Sequence, residues 1–121
     1  VIISAGAFNR NGWFLQRFGG GWRWHVAPDS CDGGRPAIGR WGHLAATYSD
    51  TQARLYQDGK LVAEIVCDPN PAPWNGPLVI GQYSTQADNY QVLGKITGVA
   101  VYRRVLRPEE LARHFTDPPA K

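Results

Sequence analysis

Asp58-Gly59 constrains this chain more than any other pair of residues. It separates two runs with alternating apolar positions, Ala53-Arg54-Leu55-Tyr56-Gln57 and Lys60-Leu61-Val62-Ala63-Glu64. Asp and Gly tolerate φ > 0 at both central positions of a two-residue type I′ turn, whose twist matches that of antiparallel strands. The spacing predicts a β-hairpin. Upstream, Leu44, Ala46 and Tyr48 alternate with Ala45 and Thr47, the period of a strand with one buried side. The region from Trp41 to Gly81 therefore reads as three successive antiparallel strands.

The remainder agrees with one β domain. Fourteen glycines, nine prolines and repeated turn signals between short apolar runs favour a sandwich over a helical fold. A chain of 121 residues buries roughly two thirds of its unfolded surface, enough for a core. Only residues 108–115 read as a helix. Pro108 stands in the first turn, Glu109 and Glu110 lie near the positive end of the dipole, and Leu111 and Phe115 are spaced i,i+4.

The ordered motifs carry a resemblance. Trp41-Gly42-His43-Leu44-Ala45-Ala46-Thr47-Tyr48, the Leu55-Tyr56-Gln57-Asp58-Gly59-Lys60-Leu61 hairpin and Leu78-Val79-Ile80-Gly81 follow the order seen in the laminin-G/pentraxin branch of the concanavalin A-like lectin/glucanase jelly rolls. Gly94-Lys95-Ile96-Thr97-Gly98-Val99-Ala100-Val101-Tyr102 and Arg104-Val105-Leu106-Arg107-Pro108-Glu109-Glu110-Leu111 continue it. The resemblance implies an all-β antiparallel sandwich of jelly-roll type with one short C-terminal helix. It places a LamG-like domain at 1–116 and a linker or tail at 117–121. That family usually has one or two strands before this start, so the resemblance also implies a truncated N-terminal side. An open edge beside Val1–Ile3 would then invite a dimer partner or a neighbouring module.

Cys31 and Cys67 sit in polar, turn-like settings, Asp29-Ser30-Cys31-Asp32-Gly33-Gly34 and Cys67-Asp68-Pro69. Two exposed-loop cysteines in a Pro/Gly-rich β protein suggest a disulfide and an oxidising, extracellular or cell-surface location. Two unrelated free thiols are the alternative. No run of 18 apolar residues exists to insert into a membrane.

Ten of the thirteen basic residues are arginine. Arg10, Arg17, Arg23, Arg35 and Arg40 face only Asp29 and Asp32 in the first forty residues. Guanidinium forks match carboxylate and sulfate oxygens and stack on rings, which suits an acidic glycan. A solvated arginine-rich surface explains the same residues without a ligand. A net charge of +3 with no accompanying motif argues against a nucleic-acid partner.

The tryptophans divide between core and surface. Trp41 is expected in the core, as are Trp22 and Trp24, which alternate with Arg23 and His25. Trp74, beside Asn75 in a loop with four prolines, is the candidate stacking residue for a sugar ring, since a preordered aromatic loses little entropy on binding. Tyr83, Gln86, Asp88, Asn89 and Tyr90 supply phenol, amide and carboxylate groups suited to sugar hydroxyls. Trp13, Arg17, Arg23 and His25 form a second candidate surface. The resemblance to pentraxin-like members raises calcium as a cofactor, but Asp88 is the only acid of its loop and Thr97 replaces the family's usual Asp. Calcium prefers six to eight oxygens with several carboxylates, so a double site is disfavoured and a single weak ion at Asp88 is left open.

An enzyme is not expected. Related glucanases carry Glu-x-Asp-x-x-Glu, because retaining hydrolysis needs two carboxylates about 5 Å apart, and the chain has no such motif. His25, His43 and His114 have no Ser or Cys in a nucleophile context. Two functions remain: a non-catalytic carbohydrate-binding module of a larger secreted or surface protein, and a LamG-type protein-recognition or adhesion module.

Overall fold

The computed structural model describes residues 1–7, 11–26, 28–49, 51–67, 77–82 and 92–117. The strands are β1 (Ile3–Ala7), β2 (Asn11–Phe18), β3 (Gly21–Val26), β4 (Asp29–Gly33), β5 (Leu44–Ser49), β6 (Gln52–Gln57), β7 (Lys60–Val66) and β8 (Val79–Ile80), followed by the helix α1 (Pro108–Thr116). They form a five-stranded sheet in the order β4-β3-β2-β1-β8 and a three-stranded sheet in the order β5-β6-β7. Every pairing is antiparallel. The two sheets pack into the sandwich that the sequence predicts.

Alternation decides what the sheets bury. Ile3, Leu15, Trp24, Val26 and Cys31 point from the larger sheet into the core, where they meet Ala53 and Leu55 of β6. Leu44, Ala46 and Tyr48 pack against the same cluster, as their period-2 spacing requires. Leu55 is fully buried, a placement worth about 1.5–3 kcal/mol in water-to-core transfer. The Trp24 indole N–H donates to the Thr47 carbonyl at 3.0 Å, so the largest core ring keeps its polar atom satisfied across the two sheets.

At the end of the smaller sheet nearest the Asp58-Gly59 turn, α1 covers the other face. Tyr56, Leu106 and Leu111 are buried together, with Ala45 against them. The Asp58-Gly59 turn has φ of 51° and 79°, the double positive φ of the expected hairpin. A Cβ on Gly59 would lie 3.2 Å from the Ala112 Cα, so the helix rests directly on the turn. Asp58 clips the start of β5, its Oδ1 accepting from the His43 N–H and its own N–H donating to the His43 carbonyl, both at 2.8 Å. At the helix start the Arg107 N–H donates to Glu110 Oε1 at 3.1 Å. Arg104 gives Glu110 two further bonds, at 3.0 and 2.7 Å. The Arg104 guanidinium, then the Arg107 N–H, hold this carboxyl far below the usual carboxylate range.

Three expectations need correction. First, β1 is not an edge, because β2 flanks it on one side and β8 on the other. Second, Cys31 and Cys67 are not on exposed loops. Cys31 lies in β4 and is fully buried, Cys67 follows β7 and is buried in the same cluster, and both are free thiols with no bond between them. A short polar run can still form a strand when alternate residues, here Cys31 and Gly33, face the opposing sheet. Third, Trp41 is 64% exposed. It lies three residues before the first residue of β5 and no strand pairing fixes it. Residues 94–102, where the family resemblance continues, form no strand. Leu111 is buried as expected, but its i+4 partner Phe115 is largely exposed beside His43, with ring centroids 6.1 Å apart.

Candidate functional site

The larger sheet has a second face, turned away from the core. Pairing of Phe14 with His25, of Gln16 with Arg23 and of Phe18 with Gly21 sets these residues on one side of β2 and β3. Asp32 and Ser30 of β4 and Ser4 of β1 share that side, by the pairs Arg23 with Asp32, His25 with Ser30 and Ser4 with Phe14. The face runs from a closed end to an open one.

At the closed end Ser4, Phe14 and His25 are each almost completely buried. The Ser4 hydroxyl donates to the Gln82 carbonyl at 3.1 Å. Phe14 and the His25 imidazole stack with centroids 4.6 Å apart, and His25 Nδ1 lies 2.7 Å from Ser30 Oγ. Burial, then the nearby Arg23 charge, push the His25 pKa below 6.5. This ring is therefore neutral at physiological pH, as a buried imidazole beside a cation must be.

At the open end Phe18 is 55% exposed. The Arg23 guanidinium carbon sits 3.9 Å from its ring centroid. Arg23 cannot swing away freely, because its Nε and Nη2 each donate to Asp32 at 2.7 Å in a bidentate pair. The bonds to Asp32 raise the Arg23 pKa above its usual value, so the fork stays charged. The result is a flat aromatic surface braced by a fixed cation, with the half-buried Gln16 directly opposite Arg23. Such a group can stack on the apolar face of a sugar and offer directed polar groups at its rim.

The sequence-derived candidates are not all on this face. Arg23 is. Trp13 and Arg17 belong to the opposite side of β2, paired with Val26 and Trp22. Trp13 packs on the core, its ring 5.5 Å from that of Trp24, whereas Arg17, near the strand end, is exposed. Trp74, Asn75, Tyr83, Gln86, Asp88, Asn89 and Tyr90 lie outside the described residues. Phe18 escaped the sequence reading altogether. The signal was available in Gly19-Gly20, a two-residue turn that makes Phe18 the last residue of its strand and sets it diagonal to Arg23.

Among the described residues no group of three His, Cys, Asp or Glu side chains is placed to hold a metal. No helix among them is long and apolar enough to cross a membrane.

With the sandwich and its two faces established, the chain belongs to the concanavalin A-like lectin/glucanases superfamily, whose laminin-G profile matches residues 1–112. No curated protein matches the chain. Among solved structures it is similar to an S-layer domain-containing protein from Clostridium thermocellum ATCC 27405. That match has 20% identity and a TM-score of 0.49, and it covers 86% of this chain and 56% of the other.

Proposed function

We infer that the chain is a non-catalytic carbohydrate-binding module of a secreted or cell-surface protein, with its folded domain spanning 1–116 and its sugar contact at the open end of the larger sheet's outer face. The observation that carries this reading is the exposed Phe18 ring, braced by Arg23 at 3.9 Å while Asp32 fixes the guanidinium. An aromatic platform ordered before binding loses little entropy when a sugar stacks on it. The superfamily includes lectins by name, which agrees with the reading. The Trp74 and Tyr83–Tyr90 loops are proposed as further contacts, and a calcium ion at Asp88 as an accessory to them. An oxidising location would close the Cys31–Cys67 bond, since both sulfurs are buried in one cluster.

Affinity electrophoresis through neutral and uronate- or sulfate-bearing polysaccharides tests this directly. Phe18→Ala should weaken retardation by about tenfold or more, by analogy with aromatic anchors at interfaces, and leave the fold intact because the ring is exposed. Unchanged retardation would move the contact to Trp74, and Trp74→Ala would be the next variant. A second reading, a protein-recognition module, draws on β5 being an edge strand among the described residues, and failure of every polysaccharide to retard the wild-type chain would favour it.

A further inference from the structure

The ion pair beside Phe18 is unevenly exposed. The Arg23 side chain is 16% accessible and that of Asp32 49%, so the carboxylate is the charge that a ligand arriving at the ring meets first. Nε and Nη2 of the Arg23 fork are taken by Asp32 at 2.7 Å each, and the guanidinium carbon lies 3.9 Å from the Phe18 ring centroid. What remains of the fork is largely covered. Each Asp32 oxygen accepts one of those two bonds and keeps a further lone pair to offer. The rim of the platform is thus an acceptor.

The rest of the face adds no charge. By the strand registers Gln16, Ser30 and Val79 share it, and among the described strand residues Arg23 and Asp32 are its only ionic side chains. His25 is kept neutral by burial, then by the Arg23 charge. The two ions cancel, so this face is neutral although the chain as a whole carries +3. The arginine excess that suits an acidic glycan lies elsewhere. Arg17 is on the opposite side of β2, and Arg54 is paired with Glu64 on the other sheet.

We propose that this face takes a neutral, hydroxyl-rich glycan and turns acidic ones away, with Asp32 as the residue that sets the choice. The inference rests on the sugar contact proposed for the same face and names its ligand class. A sugar hydroxyl set beside the Phe18 ring can donate to an Asp32 oxygen, and such a charge-assisted bond is stronger than one between neutral partners. A uronate or sulfate in that place offers only acceptors and brings a second anion against an exposed carboxylate. Arg23 does not compensate, because turning to a new anion would break its bidentate pair with Asp32.

Isothermal titration calorimetry of the whole 121-residue chain tests this with polysaccharide pairs that share a backbone and differ in charge: hydroxyethylcellulose with carboxymethylcellulose, methyl-esterified pectin with polygalacturonate, and dextran with dextran sulfate. Each is repeated on Phe18→Ala, whose loss of affinity reports this face and not the arginines elsewhere. At least one neutral polymer should lose about tenfold or more in affinity on Phe18→Ala, as at an aromatic anchor. Its affinity for the wild type should change by less than about twofold between ~50 and ~500 mM salt, since no net charge is screened. The acidic counterpart should bind without dependence on Phe18 and lose that binding at the higher salt.

Asp32→Asn keeps the shape and removes the charge. It should weaken binding of the neutral polymer and give the acidic one a Phe18-dependent gain of about fivefold or more, a reversal that loosening of the fold does not produce. Phe18-dependent binding of an acidic polymer at least as tight as its neutral counterpart in the wild type overturns the neutral choice and leaves the sugar contact standing. A preference unmoved by Asp32→Asn does the same. Binding that ignores Phe18 for every polymer, or binding of none, overturns the sugar contact at this face and the inference together.

Discussion

Residues 52–66 and residues 92–106 are both rich in β-branched and aromatic residues, yet the first stretch is a ladder and the second has no pairing. The difference lies in where each finds its partner. β6 and β7 are joined by Asp58-Gly59, so their pairing closes a loop of two residues. Residues 92–106 have no hairpin neighbour, and the strand across their groove, β5, lies about fifty residues away in sequence. Loop-closure entropy, which grows as the logarithm of length, opposes the second pairing much more than the first. The hairpin is also fastened from outside: α1 rests on its turn, Asp58 binds His43, and Leu106 and Leu111 cover Tyr56. Strand-forming residues are a local property, whereas a paired strand depends on what else has been brought close.

The largest effect should come from the fastened region. Leu55→Ala opens a cavity between the sheets and should cost about 2–5 kcal/mol in urea unfolding. Leu93→Ala, at a fully exposed position, should stay within about 0.5 kcal/mol. Equal costs for the two would erase the contrast.

Next comes the cysteine pair of the core, Cys67 at the end of the hairpin and Cys31 in β4. Burial, with the Cys67 charge second, pushes the Cys31 thiol up to about 11, so in the reduced native protein it should alkylate slowly at pH 8 and rapidly once unfolded. If the proposed bond forms under oxidising conditions, unreduced protein takes up no alkyl group even when denatured. Reduction then removes roughly 3 to 4 kcal/mol of stability. Uptake of two groups by the oxidised, denatured chain would exclude the bond.

Two glycines sharpen the comparison further. Gly59→Ala should cost about 1–2 kcal/mol for the left-handed backbone, and more because the new Cβ meets Ala112 at 3.2 Å. Gly98→Ala has no such neighbour and should cost less by thermal unfolding. A Gly59 variant as mild as the Gly98 one would show that turn and helix do not share a corner.

The smallest effect is that of pH at the same corner. Burial, then the His114 charge, lower the His43 pKa below 6.5, and burial lowers that of His25. In the window just under 6.5 the unfolded chain binds more protons than the folded one, so stability rises with pH there and is lost as pH falls. Urea midpoints should be lower at pH 5.5 than at pH 7.5, with a smaller difference in His43→Gln. An unchanged difference would assign the effect to His25 and leave the corner insensitive to pH.

Much of this fold was legible in the residues themselves. The type I′ turn, the inward set of β5, the alternation of Trp22 and Trp24 with Arg23 and the start of α1 at Pro108 all follow from local stereochemistry and periodicity. Sequence alone determined these because each depends on residues at most a few positions apart. It also directed attention to Arg23, but paired it with Trp13 and Arg17, which belong to the other side of the sheet. Only the tertiary structure decided that Cys31 and Cys67 meet in one core, that β8 covers the N-terminal strand, that Trp41 stands in solvent, and that Phe18 becomes a platform once Asp32 locks Arg23 beside it. Each of these turns on which strand lies next to which, and that is set by the summed burial of two sheets rather than by the spacing of residues along one chain.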